Sequence, residues 1–375
     1  MEDFRFFQHF LFHAYPPLPL EGEMMWRDMV AMSHSFDFLI HSILGAAASH
    51  LSLTSSDNYA SQALAHRVTS IQALNSALSR PAASAAEADA RFVTMFMLVY
   101  QSSYIPDGMY EFLSMLRGCY LVADIKGTVW SPRFHDFKPR SHGDAVASLN
   151  SGDNHGAHSL LDRSLVDGFL GSMILLAPLC TTPAELKYHS AIQDTMARSI
   201  VSAVDAIVQL GGIYVLFGSA SASEFHIFAD PSNHVGQLLL AHFFLIECVI
   251  EASALRHING STPHRKDVTA AWVTAIAQSL PAAYEEYIRW PMDVVSMMLA
   301  DEEWLLPKGT ELVIPKDWKR LRLLCGSTGN TGLRQQWKLL SEKAKRRGLI
   351  TQKGSRTDNV AVTQAETVDC VDEVL

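Results

Sequence analysis

Cysteine is scarce in this sequence, and what there is does not cluster. Cys119, Cys180, Cys248, Cys325 and Cys370 lie far apart, are odd in number and form no CxxC. A disulfide scaffold and a cysteine-based zinc module are thereby excluded. Long apolar runs are missing too. Met173 to Cys180 is short, and the rich stretch from Leu238 to Ile250 is interrupted by His242 and Glu247. Neither reaches the roughly 18–20 apolar residues that span a bilayer, so no membrane segment is expected. Positive charge is in deficit, with 30 Lys and Arg against 39 Asp and Glu. A net charge of −9 argues against a generally basic nucleic-acid binder. The opening Met1-Glu2-Asp3-Phe4-Arg5 lacks a basic n-region. The expected compartment is the nucleus or cytoplasm.

Catalytic signatures are absent as well. The sequence contains no GxSxG, no Walker loop, no HExxH and no GxGxxG followed by an acid. What is present is ample apolar material: 48% of 375 residues are hydrophobic and 18% are charged, enough for a large core.

The periodicity is helical throughout, with no alternating strand pattern. Helices are expected over about 3–15, with Asp3 as cap and Phe4, Phe7, Leu11 and Tyr15 on the apolar side. Others follow around Trp26 and Val30, then over about 35–53, 56–79, 84–100 and 110–123. The 56–79 helix is expected to bury Ala60, Leu64, Val68, Ile71 and Leu74. Ser84 and Glu87 have the spacing of a capping box. Helices resume over about 159–176, 183–210, 234–256 and 267–298. Residues 131–159, rich in Ser, Gly, Asp, His and Asn, read as a long loop. The division expected is an all-α domain over 1–300, a basic helical appendage over 301–350 and a disordered tail over 351–375. From Lys316 to Arg356 there are 12 basic and 2 acidic residues.

Few residues suggest chemistry. His9 and His13, at i and i+4, share a helix face. They are either half of a metal site lacking a third ligand or a pair of partly buried histidines, and no metal or cofactor is expected. Tyr100 and Tyr104 share another face and either flank a flat ligand or cap the core. Lys343 to Arg347 is a basic run, equally a nuclear-import element or a solvated helix end. Phe38, His41, Tyr120 and His242 complete a set of aromatic and His side chains inside apolar helices. Such polar groups line a ligand pocket or find partners in the packing.

One resemblance spans roughly residues 3–298. Asp3-Phe4-Arg5-Phe6-Phe7-Gln8-His9-Phe10 and Trp26-Arg27-Asp28-Met29-Val30 resemble the opening blocks of the fungal-specific transcription factor domain, in the branch of the sterol-uptake regulators. The stretch from Ser35 to Leu51, Leu116-Arg117-Gly118, Leu239-Leu240-Ala241-His242-Phe243 and Tyr287-Ile288-Arg289-Trp290-Pro291-Met292 follow in that family's order. The resemblance implies an all-α, large multi-helix domain like the ligand-binding and regulatory domain of fungal zinc-cluster transcription factors. It also implies a small hydrophobic or polycyclic ligand, and a homodimer or a heterodimer with a related regulator. Arg117 and Arg289, inside the matching blocks, are then structural clamps or anion partners. The family usually carries a six-cysteine zinc cluster that binds DNA. No such stretch occurs in this sequence, so no sequence-specific DNA binding by this chain alone is expected. The expected function is a regulator in fungal secondary metabolism that acts through protein partners. The alternative is a cofactor-free enzyme of the cyclase, dehydratase or pericyclase type, whose chemistry leaves no motif. On either reading the candidate ligand contacts are Phe38, His41, Tyr100, Tyr104, Arg117, Tyr120, His242 and Arg289.

Overall fold

The computed structural model describes residues 1–14, 23–125, 130–131, 163–199, 203–254 and 265–300. The expected 131–159 loop, apart from residue 131, lies outside them. So do the 301–350 appendage with its basic run and the 351–375 tail. The described residues form thirteen α-helices and no strand. In chain order they are α1 (Glu2–His13), α2 (Glu23–Met32), α3 (Asp37–Thr54), α4 (Ala60–Leu78), α5 (Ala85–Ser102), α6 (Met109–Ala123), α7 (Arg163–Leu176), α8 (Pro183–Ser199), α9 (Ala203–Ser219), α10 (Ala222–Ala229), α11 (His234–Ala254), α12 (Arg265–Ser279) and α13 (Glu285–Ala300).

Two helices organise the packing. In the N-terminal half, α3 lies against α1, α4 and α5. Its small residues permit this: Ala46, Ala47 and Ala48 are fully buried, and a Cβ on Gly45 would stand 3.0 Å from the Gln101 amide nitrogen. In the C-terminal half, α11 is surrounded by α8, α9, α10, α12 and α13. Helix α6 joins the halves, packing on α5 and on α9. Phe112 of α6 meets Phe244 and Trp272 edge-on or tilted, and the Trp272 indole N–H donates to the Ile105 carbonyl.

The apolar stretch 238–250 belongs to a helix longer than the run itself. The window His234–Glu251 has a mean hydropathy of 1.4 and is long and apolar enough to cross a membrane, contrary to the sequence-based count. Its 83% burial among the surrounding helices is the pattern of a core helix. One long expected helix is in fact broken. Pro281 separates α12 from α13, as its missing N–H and its steric effect on the preceding residue dictate. The expected 183–210 helix is described as α8 and α9, with residues 200–202 outside the description. Helix α10 was not anticipated; Ser221 and Glu224 form a reciprocal capping box at its start. At α5 only half of the expected box forms. Ser84 Oγ accepts from the Glu87 N–H, but the Glu87 carboxylate turns to the Ala83 N–H, Arg80 and Arg91. Those contacts hold its pKa down to about 2 against the opposing effect of burial.

Two helical faces are rotated from expectation. On α1 the buried residues are Phe6 and Phe10, whereas Phe4 is 72% exposed; the cap is Met1, not Asp3. On α4 Leu64 is 59% exposed and Val68 is exposed too. The inward face holds Ala63, Arg67, Ser70, Leu74 and Ala77. Polar groups win there because each has a partner. Arg67 donates to the Leu98 carbonyl, Gln101 and Ser102 and pairs with Glu111, while Ser70 donates to the Phe38 carbonyl.

Candidate functional site

The eight candidate residues do not converge. Phe38 is buried at the start of α3 and stacks on Phe36. Next to it on α3, half-buried His41 shares a hydrogen bond of 2.9 Å with His66 of α4, Nδ1 to Nδ1. Burial, then the neighbouring His66, lower the His41 pKa. Tyr100 stands edge-on to Phe96 and Trp26. Tyr104, one turn further on, faces His50 edge-on, and burial raises its phenol pKa above the ordinary value.

Arg117 and Tyr120 sit elsewhere, against the end of α9. Arg117 donates to the Gly218 carbonyl at 3.1 Å and also to the Ala220 carbonyl. Its guanidinium lies over the Phe225 ring at 5.3 Å. These are C-terminal carbonyls of α9, and a cation there also complements the helix dipole. Tyr120 presses on the same end. A Cβ on Gly218 would stand 2.4 Å from the Tyr120 Cβ, so glycine is required for the close approach.

His242 occupies a third place, fully buried on α11. Its Nδ1–H donates to the Leu238 carbonyl at 2.7 Å, so Nε2 is left to accept from the Ser172 hydroxyl at 2.9 Å. The ring lies parallel to Trp290 and edge-on to Phe169. Burial pushes the imidazole pKa down to about 4, so the ring is neutral near pH 7. With both nitrogens held, it is neither a free base nor a free ligand contact. Trp290 reaches this place because residue 168 is glycine: a Cβ there would be 2.4 Å from the indole nitrogen. Arg289, beside Trp290 in sequence, is exposed on α13 and does not join the group.

A groove of about 180 Å³ lies at α1 and α3, lined by Arg5, Gln8, His9, Phe12, His13 and Leu51. None of the eight candidates lines it. Among the described residues no group of three or more His, Cys, Asp or Glu is placed to hold a metal.

A polar seam that sequence reasoning missed joins α9, α11 and α12. Glu247, 2% exposed, accepts from the Tyr214 hydroxyl at 2.5 Å and pairs with Arg265, 11% exposed. The Arg265 guanidinium also lies 5.1 Å from the Phe112 and Trp272 ring centroids. Burial and the charge of Glu247 raise the pKa of Glu251, one turn along. The signal was present: a glutamate inside the apolar run 238–250 of a core helix requires a buried partner.

Residues 4–129 match the model of the family described as the fungal specific transcription factor domain. The match covers α1 to α6, about a third of the chain. The likeness to that family rests on this part, and at the family level it supports a regulatory role. No curated protein and no solved structure matches the chain.

Proposed function

We propose that this chain is a transcription-factor-like regulator that takes a small hydrophobic ligand and acts through protein partners, in fungal secondary metabolism. The observation that carries this reading is the family match over α1 to α6 on an all-α body. A regulator needs a folded body that presents surfaces, and the described helix layers supply one. The partners it implies are a second copy or a related regulator. Without a six-cysteine module in this sequence, and with a net charge of −9, the chain alone does not read base sequence. The compartment that fits is the nucleus or the cytoplasm, with no membrane association.

Two measurements test the proposal together. Native mass spectrometry of the protein purified from its host should reveal a bound apolar metabolite, and transcript profiles of a deletion strain should show a coherent set of changed genes. A metabolite-free protein with unchanged transcripts refutes it. A nanomolar, sequence-dependent DNA shift by this chain alone at physiological salt would refute the DNA part of the reading.

A further inference from the structure

Helix α1 is fastened to the body by histidines, and its two ends are fastened differently. At its C-terminal half, His9 Nε2 lies 2.8 Å from His50 Nδ1 of α3. The His9 ring is also 5.4 Å from the His13 ring, and His50 meets Tyr104 edge-on. At its N-terminal end, Asp3 lies 3.3 Å from His66 Nε2 of α4, and the other nitrogen of His66 bonds His41 of α3. Phe6 and Phe10 are buried between these contacts, and Arg5 reaches Tyr59 and Asp57.

We propose that the His9–His50 contact is an acid-sensitive latch: protonation of both rings releases the C-terminal half of α1 from α3 while Asp3 keeps the N-terminal end in place.

A hydrogen bond between two imidazoles needs one proton and one lone pair. A neutral pair has both, and a singly protonated pair still has both. With two protons each facing nitrogen carries hydrogen and no acceptor remains. Two cations then stand with ring centroids 5.1 Å apart. The surroundings oppose relief at this end. Among the described residues the groups facing His9 are Arg5 and His13 on its own helix and His50 on α3, and no carboxylate is among those. Burial, His13 and Arg5 all depress the His9 pKa, in that order. A native state that binds fewer protons than the free helix loses stability as pH falls below the ordinary histidine value of about 6.5.

The second pair differs in its neighbours. Burial and His66 of α4 lower the His41 pKa as well, but Asp37 of its own helix and Asp3 of α1 oppose them, and His9 has no such carboxylates among the described residues. The N-terminal end of α1 therefore has a carboxylate contact, Asp3 to His66, that the His9 contact lacks among the described residues. This inference is independent of the regulatory reading.

Hydrogen exchange of the full chain, corrected for the intrinsic pH dependence of exchange, tests it at about pH 7.5 and about pH 5.5. The α1 amides of wild type should lose protection at least tenfold at the lower pH, while those of α5 keep theirs. His50→Gln, and separately His9→Gln, should remove the pH difference in α1; His41→Gln should leave it. Should His50→Gln lower overall stability, His9→Gln on the half-buried side carries the comparison. Equal protection of wild-type α1 at both pH values overturns the latch. So does a pH response that persists in His9→Gln.

Discussion

Replacing Arg265 by Met tests the buried seam most directly. The side chain has similar length and apolar surface, so its contacts with Phe112 and Trp272 are partly kept while the charge is removed. Glu247 would remain 2% exposed, with the Tyr214 hydroxyl as its hydrogen-bond partner and no cation. Stranding one member of a buried ion pair costs about 3–5 kcal/mol. At about 2–4 °C per kcal/mol for a body of this size, the midpoint of thermal unfolding should fall by roughly 6–20 °C. Most of that loss comes from the abandoned charge and not from the lost attraction. Glu247→Gln/Arg265→Met should therefore regain most of it, because Gln still accepts from Tyr214 without carrying a charge. Scanning calorimetry or a thermal melt followed by circular dichroism reads all three proteins. The reasoning fails if Arg265→Met melts with wild type, or if the double variant is no more stable than the single one.

Three other outcomes are expected. Burial keeps Glu251 protonated beyond the ordinary carboxylate range, so the native state binds an extra proton there and is weakened as pH rises from about 5 towards that raised value. The stability of Glu251→Gln relative to wild type should accordingly grow with pH over that interval in urea titrations; a constant difference refutes it. The His242 ring should stay neutral to about pH 5 in NMR titration, given its pKa of about 4, and Ser172→Ala should cost about 1–3 kcal/mol by leaving Nε2 unpaired. A midpoint near the free-histidine value would show that the ring is solvated. Gly218→Ala should destabilise by about 1–3 kcal/mol because its Cβ meets the Tyr120 Cβ and ring, and Gly218→Ala/Tyr120→Gly, which removes both, should be less affected than the sum of its parts. Strict additivity would remove the clash as the cause.

The fold class was legible because its signal is redundant. Helical periodicity repeats across hundreds of residues, and single errors do not change the class. Local chemistry was legible at Ser84, which caps α5, whereas the break at Pro281 was missed although a proline inside a helical pattern signals one. Helix faces were less legible. On α4 the apolar residues Leu64 and Val68 suggested one inward face, and the structure turns another inward. That face is stabilised by Arg67 and Ser70, whose partners come from α3, α5 and α6, up to 44 positions away in sequence. Hydrophobicity ranks residues one at a time, whereas burial of a polar group is decided by what faces it.

The same logic explains why the candidate site dispersed. His, Tyr and Arg inside apolar helices were selected because an unpartnered polar group in such a place has to serve something. The structure supplies partners from within: carbonyls at the end of α9 for Arg117, Ser172 and Leu238 for His242, His66 for His41. A polar atom already satisfied by the protein has little to gain from a ligand, since binding would exchange one hydrogen bond for another. Functional polar residues are more readily sought where the body leaves polar groups in contact with solvent. The groove beside α1 is such a place. There Arg5, Gln8, His9 and His13 line a wall shared with Phe12 and Leu51, and one of its bonds, between His9 and His50, holds only while the pair lacks its second proton. The i, i+4 histidine pair was legible in the sequence, but His50, its neighbour on α3, was not, because only the fold brings it within 2.8 Å of His9.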